Sequence, residues 1–454
     1  VKILTAAQMR ETDRRTVEWG IPFEVLMENA GTRVVEFMEQ RFAPLAAHHV
    51  VIVVGKGNNG GDGLVIARLL KVRRVDVIRD PGEITPEMRF ATLVVDALLG
   101  TGLTGAPREP HAALINEINT GFPSAKVISV DIPSGLVSDS ADTTWPHVRA
   151  DFTVTFTAPK LANILQPAAS ACGELVIAQI GSAPEMCQSD LNLSQPDKFR
   201  HLFAKRNPMA HKGSFGHVLV VGGAPGKTGA ANMAGFAALR AGAGLVTICS
   251  SEQPRYPELM WQPLDSFDPS KISVLAVGPG LGNSTLAGHV VQSCTQPTVL
   301  DADALNSIAG QPLPRGRNLI LTPHPGEMSR LTGMTVANIE TDRIGTARNF
   351  ATQNDVVLVL KGRNTLIAFP DGEVFVNTTG NPAMAKAGSG DILTGLIAGL
   401  LAQFPQDARS VVPAAVWLHG RCGDLGVADF GEKCLIATDL LNYLPKAMEE
   451  CAPL

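Results

Sequence analysis

Short apolar runs separated by amphipathic stretches organise this chain. In the first 180 residues the runs are VVIVV (50–54), VDVI (75–78), TLVVDA (92–97), VISVDI (127–132), FTVTF (152–156) and ELVIAQI (174–180). Helical periodicity fills the intervals, and two helical segments, TAAQMRETDRRTVEWG and FEVLMENAGTRVVEFMEQRF, precede the first run. Apolar runs with little alternation suit strands covered by helices on both faces, as in a doubly wound parallel sheet. Between Gly181 and Gly216 the pattern lapses into polar, proline-punctuated sequence. It resumes with HVLVVGG (217–223), the Ala-rich helical stretch TGAANMAGFAALRAG (228–242), LVTICS (245–250), SVLAVGPGLG (273–282) and TVLDADAL (298–305). LILTPHPGE (319–327), VVLVLKG (356–362) and TLIAF (365–369) follow, and helices dominate from Gly388 onward. The prediction is α/β throughout, in two domains spanning 1–200 and 201–454.

Composition narrows the class without choosing an activity. Of the 454 residues 45% are hydrophobic and 18% charged, and the formal net charge is −5. Neither a basic run nor an acidic tail appears, so no nucleic-acid partner is expected. Residues 272–300 carry no Asp, Glu, Lys or Arg, yet Gly, Pro, Asn and Ser interrupt them, so no membrane span is expected either. VKILTAAQMRETDRR lacks the sustained apolar core of a secretory signal, which makes a cytoplasmic protein the expectation. Seven cysteines without C-x-x-C spacing read as reduced thiols rather than a disulfide framework or zinc site.

Ligands of open parallel sheets collect beyond the carboxyl ends of strands. After the first run comes GKGNNGGDG (55–63), whose Gly55, Gly57 and Gly60 satisfy G-x-G-x-x-G; Asp76 stands about 20 residues on, where a dinucleotide fold places its ribose-binding acid. Against that reading, Asn58, Asn59 and Asp62 crowd a turn that a diphosphate prefers lined with bare N–H groups. The third run ends in Asp96 and ALLGTGLTG, the fourth in Asp131 and IPSG. The amide of Asn59, the carboxylate of Asp96 and the hydroxyl of Ser134 are oxygen donors suited to a hard cation. Equally, Asn and Ser cap turns and helices in many proteins with no ligand involved.

In the second half AGSGD leads directly into an apolar helix within NPAMAKAGSGDILTGLIAGLL (381–401). Free N–H groups at a helix start favour a phosphate, and Gly388 and Gly390 let the backbone approach it. Asp391 is then a candidate base for a hydroxyl attacking a terminal phosphate, or simply an acidic first-turn residue. Other strand ends converge with it: GGAPGKTGAA (222–231), GPGLG (278–282), DADAL (301–305), TPHPGE (322–327) and KGRNT (361–365). GGAPGKTG is one residue short of a Walker loop. Glu327 is suited to positioning magnesium through water, and His324 stands at a strand mouth as either a ligand contact or a hydrogen-bonded turn residue.

NNGGDG, VDALLGTG and VDIPSG, in this order and each after a strand, resemble the amino-terminal epimerase domain of the NAD(P)H-hydrate repair enzymes, a Rossmann-like sheet. The resemblance implies that Asn58, Asn59, Gly60, Gly61 and Asp62 embrace the hydrated dinucleotide together with Gly100, Thr101, Gly102, Leu103, Thr104, Gly105 and Ala106. It also implies that Asp131 is catalytic at the reactive end and that potassium is held by Asn59, Asp96 and Ser134. The second set of strand ends resembles the ribokinase-like dehydratase domain of the same enzymes. There Lys361, Gly362, Arg363, Asn364, Thr365 and Gly390 would line the adenine nucleotide, while Ala231, Gly282, His324 and a catalytic Asp391 would face the hydrate. The implied activity is coenzyme repair: R and S forms of NADHX and NADPHX are interconverted, and the S form is dehydrated with ADP as co-substrate and magnesium as cofactor. AMP and phosphate are the by-products, and a homo-oligomer is the implied assembly. The competing reading is a ribokinase-like small-molecule kinase for a vitamin precursor, with a non-catalytic nucleotide-sensing first domain.

Overall fold

In the computed structural model, which describes residues 1–72, 74–80 and 82–452, the apolar runs of the first half become six strands. They are β1 His49–Val54, β2 Arg74–Arg79, β3 Leu93–Ala97, β4 Lys126–Val130, β5 Phe152–Phe156 and β6 Glu174–Ala178. All neighbours pair in parallel, in the order β2-β1-β3-β4-β5-β6. Successive side chains of β1 serve opposite faces. Val50, Ile52 and Val54 pack with Leu26, Ala30, Val34, Met38 and Ile66 from the helices Phe23–Arg41 and Asn58–Leu69. Val51 and Val53 pack with Leu114, Ile115 and Ile118 of the helix His111–Thr120. This two-sided burial explains why the run shows no polar alternation. Because β2 and β3 flank β1 on opposite sides, a crevice opens between the carboxyl ends of β1 and β3. Gly55 closes its floor: a Cβ there would stand 1.9 Å from the carbonyl oxygen of Leu98.

A second sheet of ten strands comprises β7 Leu191–Leu193, β8 His217–Val221, β9 Leu245–Ser250, β10 Met260–Pro263, β11 Val274–Val277, β12 Thr298–Leu300, β13 Leu319–Leu321, β14 Val357–Leu360, β15 Leu366–Ala368 and β16 Val374–Val376. Its order is β10-β9-β8-β11-β12-β13-β14-β15-β16-β7, parallel except where β15 pairs antiparallel with β14 and β16. The Ala-rich helix Thr228–Arg240 lies against the helix Ser389–Gln403 at close range. A Cβ on Gly395 would come within 2.1 Å of the Ala234 carbonyl oxygen, so the small residues of both helices are a packing requirement.

β7, β10 and β16 were not legible as strands, because three or four residues are too few to display a period. The chain divides into compact units at Val1–Ser189 and Asp190–Leu454. Residues 190–200, which the sequence pattern assigns to the first domain, therefore lie in the second unit, where Leu191, Asn192 and Leu193 pair with Val374, Phe375 and Val376. No helix among the described residues is long and apolar enough to cross a membrane. The seven cysteines are free thiols.

Candidate active sites at two sheet mouths

In the first unit a cavity of about 650 Å³ is lined from the segments that follow β1, β3, β4 and β5, and from the first two helices. The helix Asn58–Leu69 begins four residues after the end of β1, so Asn58, Asn59 and Asp62 stand on its first turns rather than in an open turn. This corrects the picture of a crowded phosphate loop. The side chains of Asn58, Asn59 and Asp62 line the cavity, as do Gly100, Thr101, Gly102 and Leu103, whereas Thr104, Gly105 and Ala106 lie beyond the lining. Gly60 and Gly61 serve close approach: a Cβ on Gly60 would meet the Gly55 carbonyl oxygen at 1.9 Å, and one on Gly61 the Met27 side chain. Asp76 does not line the cavity. It pairs with His49 Nε2 at 2.7 Å and accepts from Arg74 Nε at 3.0 Å, so the comparison with a ribose-binding acid fails.

Asp131 follows β4 with φ at 64°, in the left-handed region that a non-glycine residue occupies at a cost of about 1–3 kcal/mol. Its Oδ1 accepts from Lys160 Nζ at 2.5 Å and from Thr155 Oγ1 at 2.9 Å. Lys160 is only 1% exposed and also donates to Thr155 Oγ1 and the Phe156 carbonyl. An ammonium so buried requires an anionic partner, which makes Asp131 and Lys160 one unit. Three further carboxyls, Asp13, Asp62 and Asp80, line the same cavity. Burial, the Asp131 and Asp13 carboxylates push Asp62 well above the usual carboxylate range against the pull of Lys160. Burial likewise raises Asp13 to about 6, with Lys160 opposing and Asp131 reinforcing.

The three cation donors read from the sequence do converge, around Leu99. Asn59 Nδ2 donates to the Leu99 carbonyl at 3.1 Å, leaving the amide oxygen free. Ser134 Oγ accepts from Leu99 N at 2.8 Å and lies 2.5 Å from Asp96 Oδ1. Asp96 is wholly buried and also accepts from Ser129 Oγ and Ser134 N. Burial raises its proton affinity, while its hydrogen bonds from Ser134, Ser129 and Leu98 lower it. An amide oxygen, a hydroxyl, a backbone carbonyl and a single carboxylate match a weakly charged cation better than a divalent one.

In the second unit the helix Ser389–Gln403 is capped by Gly388, whose φ of 92° lies in the left-handed region. Gly390 is pinned beside a buried polar chain: a Cβ on it would lie 3.4 Å from Lys361 Nζ and 3.6 Å from Asp301 Oδ2. Lys361 Nζ donates to Asp301 Oδ1 at 2.7 Å, and Thr394 Oγ1 donates to Asp301 Oδ2 at 2.9 Å. Burial alone would lower the Lys361 pKa, but the carboxylates of Asp301, Glu327 and Asp391 outweigh it and hold the ammonium charged. Asp391 is pushed up to about 7 by burial first, then by Asp301 and Asp303, with Lys361 opposing.

Gly362 to Thr365 continue from Lys361 as a tight loop. Arg343 donates to the Arg363 carbonyl at 2.6 Å, Thr365 Oγ1 to the Gly362 carbonyl at 3.1 Å, and Asn364 takes φ 56°. Gly282 N donates to Asp303 Oδ2 at 2.8 Å. His324 caps the helix Pro325–Thr332, its Nδ1 accepting from Gly326 N and Glu327 N, while the rest of the ring is half exposed. Glu327 returns the cap by accepting from His324 N at 2.8 Å, and its carboxylate lies 3.8 Å from Lys361 Nζ. Ala231 is fully buried in the core, whereas Ala230 is partly exposed.

Sequence reasoning missed Lys160, Asp13, Thr394 and His419, and took Asp301 only as part of the converging strand end DADAL. Thr394 stands one turn beyond Gly390 and so on the same helix face, a spacing that could have revealed it. His419, pushed down to about 4 by burial, is a neutral ring 3.1 Å from Ser389 Oγ at the helix start.

Comparison with known proteins matches these two mouths separately and together. A family model described as NAD(P)H-hydrate dehydratase matches residues 218–446, and one described as YjeF-related protein N-terminus matches 23–89 and 79–162. The bifunctional NAD(P)H-hydrate repair enzyme of Moorella thermoacetica is 39% identical, over 98% of this chain and 96% of its own. That of Escherichia coli is 35% identical, over 97% and 93%. Among solved structures, the ADP/ATP-dependent NAD(P)H-hydrate dehydratase of Bacillus subtilis, co-crystallised with ATP and Mg²⁺, is 35% identical with a TM-score of 0.54. It covers 58% of this chain and 100% of its own. A ribokinase-like superfamily protein of Enterococcus faecalis, 27% identical over 58% of this chain and 98% of its own, has a TM-score of 0.53.

Proposed function

As the chain belongs to the bifunctional NAD(P)H-hydrate repair enzymes, we propose that each sheet mouth carries one of the two activities. The cavity at Asp131 interconverts the R and S hydrates of NADH and NADPH, and the mouth at Asp391 dehydrates the S form. The observation that carries this division is the difference in buried charge. Asp131 is held by a buried ammonium at 2.5 Å, while Asp391 stands at about 7 beside a helix start.

At the second mouth, hydroxide is a poor leaving group, so the hydroxyl on the ring must first be esterified. Asp391 accepts the hydroxyl proton, the freed oxygen attacks the terminal phosphorus of ADP, and AMP leaves. Loss of a ring proton then expels phosphate and restores the double bond of the reduced coenzyme. Lys361 and the N–H groups at the start of the helix Ser389–Gln403 hold the phosphates as charge shifts onto them. The loop Lys361 to Thr365 would line the nucleotide, and Gly282, whose N–H donates to Asp303, would face the hydrate. Magnesium would neutralise phosphate charge, and Glu327 would help to hold it through water. In the first unit Asn59, Asp96, Ser134 and the Leu99 carbonyl would hold potassium, whose role there is to fix the loop that begins at Gly100.

A cytoplasmic homo-oligomer is the setting this reading implies, consistent with free thiols throughout. Purified protein given S hydrate, ADP and magnesium should release reduced coenzyme, AMP and phosphate in equal amounts, followed by phosphorus NMR. A phosphorylated metabolite that persists would instead identify a kinase.

A further inference from the structure

Asp13 is a carboxyl without a structural task. It lies on the helix Ala6–Glu18 and lines the first-unit cavity. Its Oδ1 is sealed from solvent and has no hydrogen-bond partner among the described residues. Its neighbours on the same helix are satisfied: Thr12 Oγ1 donates to the Gln8 carbonyl at 2.9 Å, and Thr16 Oγ1 to the Thr12 carbonyl at 2.8 Å. Another buried carboxylate of this unit, Asp96, has a full set of donors. Leaving a buried acceptor unmade is costly, and any apolar side chain of similar size would avoid it. The groups around Asp13 come from several elements. Arg10 belongs to its own helix, Lys56 and Asp62 to the segment after β1, and Asp131 and Lys160 to the ends of β4 and β5. Cys187 also feels its charge, and Asp80 and His111, paired at 3.0 Å, line the same cavity.

We propose that Asp13 is the second proton-transfer group of this cavity, the acid that works opposite the Asp131–Lys160 pair while the hydroxylated ring carbon inverts. The inference rests on reading the cavity as the epimerase site. The chemistry requires two groups. The hydroxylated carbon is bonded to the ring nitrogen, so inversion proceeds by opening that bond. Asp131 takes the hydroxyl proton, the carbon–oxygen bond becomes a carbonyl, and the carbon–nitrogen pair of electrons moves to nitrogen, which receives a proton from Asp13. Rotation of the freed aldehyde and reclosure on its other face return both protons, so nothing is consumed. Asp131 cannot serve both ends of the opening bond at once, and Lys160 is committed to it. Among the described residues Asp13 has no cation at hydrogen-bonding distance, and burial raises its pKa to about 6, so its acid form supplies the proton that this step requires as pH falls towards that value.

The test uses the full chain with R hydrate, ADP and magnesium, and reads conversion to reduced coenzyme above the spontaneous rate; consumption of S hydrate is the internal reference. D13N should slow R consumption by about 10²- to 10⁴-fold, with the KM for R hydrate little changed, and D13E should recover part of the loss. Because the acid form is required, the wild-type kcat should fall as pH rises past the Asp13 pKa, and D13N should lack that limb. Wild-type epimerisation by D13N would overturn the proposal. So would a loss in D13N that is matched by lost hydrate binding and not relieved in D13E, since that pattern marks a structural residue. D131N separates the two levels: if D131N epimerises normally, the reading of the cavity itself fails, whereas loss in D131N with retention in D13N removes Asp13 alone.

Discussion

Asp131 and Asp391 both stand where a sheet delivers its ligands, yet their surroundings treat them oppositely. Asp131 meets Lys160, an ammonium with no exit to solvent, and shares it with Thr155 and the Phe156 carbonyl. Asp391 faces an ammonium whose hydrogen bond already goes to Asp301, and its own burial first, then the negative charge of Asp301 and Asp303, raise its proton affinity. The same residue pair, aspartate and lysine, is therefore a closed ion pair in one mouth and an open base in the other. What differs is the third partner. Asp301 takes the hydrogen bond of Lys361 and adds its charge to the burial that raises Asp391, whereas no carboxylate other than Asp131 accepts from Lys160 among the described residues. A phosphoryl acceptor needs a base that titrates near neutrality, and a reversible inversion needs a carboxylate fixed in place.

Breaking the open arrangement should have the largest effect. D391N is expected to lower S-hydrate dehydration by about 10²- to 10⁴-fold while R and S still interconvert, measured by coenzyme recovery and by separation of the two epimers. The wild-type pH profile sharpens the same point. A base works deprotonated, so dehydration should climb about tenfold per pH unit well below 7 and level off above it, and D391N should be flat. On the closed side, K160M leaves Asp131 without its cation, and the first unit should lose about 3–5 kcal/mol in chemical denaturation along with epimerisation. G390A is the mildest change. Its Cβ finds ordinary contact distances to Lys361 and Asp301, so stability should stay within about 1 kcal/mol. ADP affinity by calorimetry should fall about tenfold, because the methyl group occupies the phosphate approach.

Much of this was legible because the decisive residues follow strands directly. Asp96, Asp131 and the glycines at 55, 388 and 390 all sit at predicted strand ends or helix starts, and there the sequence places them correctly. Lys160 follows β5 by only four residues, but in sequence a lysine in TAPKLAN looks like any solvated one; only the packed sheet shows it 1% exposed. Asp13 comes from a helix that precedes the sheet, so no strand-end rule points to it. Asp301 was visible in DADAL, yet its bond to Lys361 spans 60 positions and appears only once β12 and β14 lie in one sheet. Ala231 shows the converse: the motif places it at the mouth, and the helix turns it into the core.

The central claim, that two differently charged mouths act in sequence on one damaged coenzyme, is met most directly by following an R and S hydrate mixture with ADP and magnesium. Wild-type protein should return all of it to reduced coenzyme, and D131N only the S fraction. Complete recovery by D131N at the wild-type rate would contradict the account.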